Sequence, residues 1–317
     1  MKNPCLALTL VLLASAPAAA HADGLPLPVD ESNNGVLNDE GLIRHVTAYA
    51  RGSTAVVSQD ARDGSVIAAD IFKGRFTVPL VSYDGTAGGL SADERTLVLI
   101  RPRAGFPRKR TTFALLRSDR PRLRLRLRRV IALRGDFSFD ALSPDGRSLF
   151  LINYISRRDP ARYRVRVFDL GRGRLARKAI TDPREEPDEM NGFPISRVTS
   201  PSGRWAYTLY DGTEGHPFIH ALDTVKRRAV CIDLDDVHGD PFRLRLESDE
   251  AGSELMVTRG KRVLAMVDTK SFEVRYPDGD AAAAQDTSSG GIPWPLPAAV
   301  LALLGGALLA RSRARAR

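Results

Sequence analysis

Short polar turns alternate with short apolar runs through the middle of the chain. Ala141–Tyr154, ALSPDGRSLFLINY, shows the unit most plainly. Pro144 presets φ for the second position of a turn, Gly146 tolerates positive φ, and Ser143 and Asp145 can bond the local backbone. Behind the turn, Ser148–Ile152 is the apolar run of a strand buried on both faces. The layout returns as Ser200-Pro201-Ser202-Gly203 before Arg204–Tyr210. Looser copies are Ser91–Glu94 before Thr96–Ile100 and Ser248–Gly252 before Glu254–Thr258. The turns lie roughly 50 residues apart, a period belonging to propellers and solenoids.

Further strands fill each period. Tyr163–Leu170 leads through Gly171-Arg172-Gly173 to Leu175–Ile180, Phe218–Leu222 through Asp223-Thr224 to Arg228–Leu234, and Arg262–Val267 to Phe272–Arg275. Upstream, Thr54–Ser58, Ser65–Phe72 and Phe76–Ser82 predict a first blade, with a missing strand expected from the far end of the chain. A meander repeated at this period is an all-β fold, a β-propeller of about five blades, with four to six as the range.

The SPDGR-SLFL turn and strand, followed by VFDL-GRGRL, resembles the bacterial WD-repeat-like and YVTN-type β-propeller repeats with TolB-like SPDG turns. The resemblance spans Leu42–Asp278. Two of four turns match well and no WD dipeptide occurs. It implies a propeller, and such propellers include scaffolds, binding proteins and some enzymes.

Pro121–Arg129, PRLRLRLRR, alternates strictly, so its period of two predicts a strand. Leu123, Leu125 and Leu127 are expected inward, and Arg122, Arg124, Arg126 and Arg128 outward. Arg162, Arg164 and Arg166 repeat the pattern in the next blade. One reading is a solvated edge whose charge prevents strand pairing. The functional reading is a basic stripe, Arg122, Arg124, Arg126, Arg128, Arg164 and Arg166, that contacts an anionic cell-wall polymer or lipid headgroups. No aromatics interleave with the arginines, and the expected exported compartment also argues against nucleic acid.

The two ends predict an address. Met1–Ala22 has the charged start, apolar centre and small-x-small ending of a secretory signal peptide. Residues 23–41 read as a polar lead-in, 42–278 as the propeller ectodomain and 279–291 as a flexible linker. Ile292–Ala310 carries no charge and is long enough for a transmembrane helix. Residues 311–317 hold four arginines, which the positive-inside rule places in the cytoplasm, leaving the ectodomain extracytoplasmic. The formal charge of +9 falls to +4 once Lys2 and those arginines are set aside, so the basicity is partly topogenic. Loss of Cys5 with the leader leaves Cys231 alone, which excludes an intrachain disulfide. A monomeric ectodomain is expected.

No G-x-S-x-G, H-E-x-x-H, phosphate-binding loop or cysteine pair is present. Cys231 lies in an apolar strand and reads as a small hydrophobe. The acidic loop Asp182–Asn191 reads as a solvated excursion without calcium-loop spacing. The remaining chemistry is His216, His220, Asp235, Asp236, His238 and Asp240, a set able to ligate a divalent cation but drawn from one repeat. Two functions follow. The first is a non-catalytic binding or scaffold propeller on the cell membrane, contacting an envelope protein or an anionic component, with no cofactor. The alternative is a cell-surface hydrolase of lactonase type using a divalent metal.

Overall fold

The computed structural model describes residues 34–119, 122–184, 190–212 and 216–277. The leader, the linker, the apolar segment 292–310 and the basic tail lie outside the described residues. Among the described residues no helix is long and apolar enough to cross a membrane. The chain folds as five antiparallel sheets in sequence order.

The first sheet holds β1 (Val36–Leu37), β2 (Ile43–Ala50), β3 (Ser53–Asp60) and β4 (Val66–Lys73), paired in that order. Its fourth strand is therefore β1, from residues expected to be a loose lead-in. The second sheet holds β5 (Thr96–Ile100), β6 (Arg110–Asp119) and β7 (Arg124–Arg134). Phe76–Ser82, expected in the first blade, belongs here instead: Thr77 bridges Ile100, Leu80 bridges Ala87 and Leu90 bridges Leu97. Apolar Phe76 and Val78 are buried against Leu97 and Leu99, which draws this segment away from β4.

The third sheet holds β8 (Phe137–Leu142), β9 (Ser148–Tyr154), β10 (Arg162–Asp169), β11 (Arg174–Leu175) and β12 (Met190–Asn191). The fourth is β13 (Pro194–Thr199), β14 (Trp205–Tyr210), β15 (Phe218–Asp223) and β16 (Arg228–Asp233). The fifth is β17 (Leu244–Ser248), β18 (Glu254–Arg259), β19 (Arg262–Asp268) and β20 (Val274–Arg275).

Four apolar clusters join consecutive sheets. Val56 of the first meets Leu97 and Leu125 of the second, and Phe113 and Ile131 of the second meet Phe139 and Leu151 of the third. Val165 and Tyr163 of the third meet Tyr210 and Leu222 of the fourth, and Leu209 and Ile219 of the fourth meet Leu246 and Val257 of the fifth. Burying a side chain of this size contributes about 1.5–3 kcal/mol, so these seams hold the sheets in order. The first sheet's other face stays open, with Ile71 74 % exposed.

The turns behave as their residues require. In the turn before β9, the Ser143 hydroxyl donates to Asp145 at 2.6 Å and accepts from Ser148 N at 2.9 Å, while Asp145 accepts from Arg147 N at 3.0 Å. Gly146 has φ 62°, and a Cβ there would lie 2.3 Å from Thr96 Oγ1 at the start of β5. The turn before β5 also nests against it, Asp93 N donating to Pro144 O at 3.1 Å. Successive turns thus pack on each other at one end of the sheets.

Candidate functional site

The stripe on β7 only partly follows its alternation. Leu125 is buried against the first sheet, as its parity requires. Leu123 instead occupies the left-handed turn at φ 55°, and Leu127 is 37 % exposed. The physical reason is a β-bulge: Leu127 pairs with Leu116 and Arg129 with Leu115, so Arg128 is the extra residue. The bulge swings the strand, and beyond it Ile131 is buried against the third sheet rather than the first. Arg122, Arg124, Arg126 and Arg128 are all exposed. Arg124 is held by Asp70 of β4 at 2.9 Å, and Asp70 also accepts from Leu125 N at 3.2 Å.

Arg164 and Arg166 on β10 have different surroundings. Tyr163, Val165 and Val167 point into the seam with the fourth sheet, leaving Arg164 and Arg166 on the opposite face, where Arg164 pairs across to Asn153. The segment Leu175–Ile180, expected as one strand, is broken. Leu175 pairs with Phe168, Ala176 N donates to Val167 O at 2.8 Å, and Ile180 N donates to Val165 O at 2.8 Å. Between the last two anchors, Arg177, Lys178 and Ala179 loop away from the ladder. The result is a cleft of about 410 Å³ lined by Asn153, Arg164, Arg166, Arg177, Lys178 and Thr181. No carboxylate lines it among the described residues.

Arg166 is half-buried. Its guanidinium donates to Ala176 O and, at 3.5 Å, to Asn153 Oδ1, while its Nε is buried with no acceptor. Burial, then the charge of Arg164, lowers its pKa. Arg164, Arg177 and Lys178 line the same cleft.

The acidic loop is more anchored than expected. Asp182 is buried, binds Arg184 at 2.6 Å and accepts from Cys231 N at 2.8 Å. Burial opposes its ionisation, but these bonds prevail and hold the carboxyl at about 2. Met190 and Asn191 return to pair with Tyr163 and Arg162. Residues 185–189 of this loop lie outside the described residues.

The candidate metal ligands are not brought together. His220 is buried on β15, whereas His216, Asp235, Asp236, His238 and Asp240 are exposed in loops. Asp240 caps a short turn by accepting from Phe242 N at 3.0 Å, and the His238 carbonyl accepts from Arg259. Among the described residues no group of three or more His, Cys, Asp or Glu side chains converges as a metal site would require. Scattering follows from topology, since the set spans both a strand face and the loop leaving the sheet. The structure does place Cys231 beside His220, Sγ and Nδ1 3.9 Å apart on paired strands. Burial lowers the His220 pKa to about 4, so the imidazole is neutral and offers no charge to stabilise a thiolate.

Sequence reading missed the charged centre between the third and fourth sheets. Asp140 sits at a bulge in β8, and Arg197 on β13 donates to both its carboxylate and its carbonyl, the latter at 2.9 Å. Both side chains are buried, and they border a cavity of about 140 Å³ that is also lined by Val36, Gly88 and Thr199. Buried polar atoms without partners, Asp140 Oδ2, Arg197 Nε and Thr208 Oγ1, belong to the same seam. A lone Asp inside the apolar FSFDAL run of β8 was the available signal. Arg177 and Lys178 were also missed, although two adjacent cations within a proposed strand are an irregularity visible in the sequence.

No family model matches the chain, and no curated protein matches it. Solved structures do. The chain is 14 % identical, at a TM-score of 0.45, to the β-propeller domain of Cps50 (Swd1) from Myceliophteria thermophila, covering 80 % of this chain and 72 % of that one. It is 14 % identical to TolB from Acinetobacter baumannii at a TM-score of 0.41, covering 77 % of this chain and 53 % of that one. It is also 14 % identical to a candidate 6-phosphogluconolactonase from Bacteroides uniformis at 0.45, with 75 % and 67 % covered. The chain thus spans about half the length of that TolB.

Proposed function

We propose that this chain is a non-catalytic, extracytoplasmic binding propeller, held to the cell membrane by residues 292–310. Its basic outer rim contacts an anionic envelope component or an acidic face of an envelope protein. The observation that carries the reading is the distribution of charge. Buried carboxylates are matched by arginines, as in Asp140 with Arg197 and Asp136 with Arg103 and Arg108. At β7, the edge strand of the second sheet, Arg122, Arg124, Arg126 and Arg128 instead stand exposed in a row, with Asp70 the one carboxylate bound to their side chains among the described residues. Such a surface attracts polyanions, and the attraction falls with salt.

The test uses the full chain in mild detergent, with labelled polyglutamate and polyphosphate followed by fluorescence anisotropy against a neutral dextran. Both polyanions should bind, weaken with salt, and weaken further in the variant R122Q/R124Q/R126Q/R128Q. Binding no tighter than to dextran would overturn the reading.

A further inference from the structure

We infer that the end of the first two sheets opposite the packed turns is a docking surface for an anionic phospholipid bilayer. The inference rests on the proposed membrane anchor, and it makes the membrane itself the partner of a second basic surface, separate from the β7 stripe.

Topology places the surface. The turns before β5 and β9 pack on each other at one end of the sheets. The β2–β3 and β5–β6 hairpins, and the crossings from β4 and β7 to the next sheet, therefore lie at the other end. In the first two sheets that end consists of residues 50–53, 73–76, 101–110 and 134–136. Hydrogen bonds tie these segments into one strip: Gly74 N donates to Gly52 O at 2.9 Å, Arg108 Nη1 to Arg101 O at 3.2 Å, and Gly135 N to Lys109 O at 2.9 Å. Arg75 lies over the Tyr49 ring, 5.6 Å from its centroid, and Arg101 over Phe76 at 5.7 Å.

The last strand leads to the same end. β20 pairs antiparallel with β19 and so runs away from the packed turns. Beyond it the Tyr276 hydroxyl accepts from Asp236 N at 3.4 Å, in the crossing between the fourth and fifth sheets. A tether running on from Tyr276 to an anchor at residues 292–310 leaves from the end that carries the strip, so the strip faces the membrane.

Charge says what the strip meets. Its four segments contain nine Lys or Arg and one Asp, and that one, Asp136, is buried and bound by Arg103 and Arg108. At the turn end of the same sheets, residues 60–65 and 91–95 hold four Asp or Glu and two Arg. Arg110 and Arg134 stand directly opposite on β6 and β7, a like-charge pairing that destabilises the ladder and that an anionic surface relieves. The rings suit the same partner. Tyr49 is 51 % exposed beside Arg75, and Arg103 lies 5.5 Å from the Phe106 centroid. Stacking engages the face of a guanidinium and leaves its N–H edge for phosphate oxygens, while aromatic rings favour the headgroup level of a bilayer. The exposed ring and the position beside the tether favour a bilayer over a soluble polyanion.

The test reconstitutes the full chain from mild detergent with vesicles of phosphatidylcholine alone, or of an equimolar mixture with phosphatidylglycerol, and reads flotation and amide hydrogen exchange. Exchange at residues 50–53, 73–76 and 101–110 should slow several-fold in the mixed vesicles relative to phosphatidylcholine. The turn end at 60–65 and 91–95 should not change. The exposed-site variant R75Q/K109Q/R110Q/R134Q should lose this protection, since each Lys or Arg at an anionic surface is worth roughly a fivefold factor. High salt should remove it from the parent. The stripe variant R122Q/R124Q/R126Q/R128Q should keep it. Equal exchange in the two vesicle types, protection that survives the first variant, or protection of the turn end instead would overturn the surface. Flotation with both vesicle types and no lipid-dependent protection would leave the anchor standing without the docking. Flotation with the mixed vesicles alone, with the strip protected, would leave the docking without the anchor, and flotation with neither would remove both.

Discussion

The strands β7 and β10 carry nearly the same script, arginine at every second position between apolar residues, and the fold makes different objects of them. On β7 the bulge at Arg128 leaves Leu125 as the buried leucine of the stripe, and its arginines stand in solvent. On β10 Tyr163, Val165 and Val167 are all buried, because a complete fourth sheet lies behind them. A broken outer strand in front then roofs the arginines. The same alternation thus leaves the β7 arginines in open solvent and sets Arg164 and Arg166 in a cleft beneath residues 177–179.

The comparison can be broken most forcefully at Leu125. Leu125→Asp would bury an unpaired charge in the first seam and should cost at least about 4 kcal/mol in denaturant unfolding, whereas Leu127→Asp should cost under about 1 kcal/mol. Equal losses would mean that the bulge does not turn the strand. Behind β10, Asp140→Ala strands the Arg197 charge in the seam and should cost about 3–5 kcal/mol. The double change Asp140→Leu with Arg197→Met should recover most of that loss. Failure to recover would assign the pair a specific structural role beyond charge compensation.

Acid should weaken the seams behind both strands. Burial holds His220 near pKa 4 against its ordinary 6.5, with Asp140, Arg197 and Asp182 facing it; His45 of the first seam is shifted likewise by burial. The unfolded chain therefore binds protons that the folded chain refuses. Stability is full above pH 6.5 and declines as pH falls towards 4, by up to about 3 kcal/mol per histidine. Melting curves between pH 7 and 4.5 should show the decline, and His220→Gln should flatten its own share. An unchanged slope would mean that the imidazole finds a proton-sharing partner on folding. Smallest is Arg124→Ser: losing a half-exposed pair with Asp70 should change stability by no more than about 1 kcal/mol, read by the same melts.

Much of the architecture was legible because it is local. Turns such as SPDG act through their own side chains, and strands such as Ser148–Ile152 announce themselves by apolar runs between such turns. The misplacements were non-local. Phe76–Ser82 was assigned to the preceding sheet because nothing in a strand's composition names its neighbour. The roof of the cleft was read as part of a strand, because Leu175 and Ile180 do pair and only the length between their partners reveals the loop. Of the candidate site, Arg164 and Arg166 were visible as a periodic pattern, while Arg177, Lys178 and the Asp140–Arg197 pair had no periodicity to expose them.

The chain by itself determined the polar turns, most of the strands between them, and which face of β10 is apolar. Backbone conformation and side-chain solvation are properties of neighbouring residues, so those features follow from short stretches. Only the tertiary structure decided which sheet each segment joins, where a bulge reverses a strand's facing, and which arginines share a pocket. Those outcomes depend on burial and charge balance among residues far apart in sequence, with Asp140 and Arg197 separated by 57 positions. Pairing at that distance is selected by the whole packed interior, and no window along the chain contains both partners.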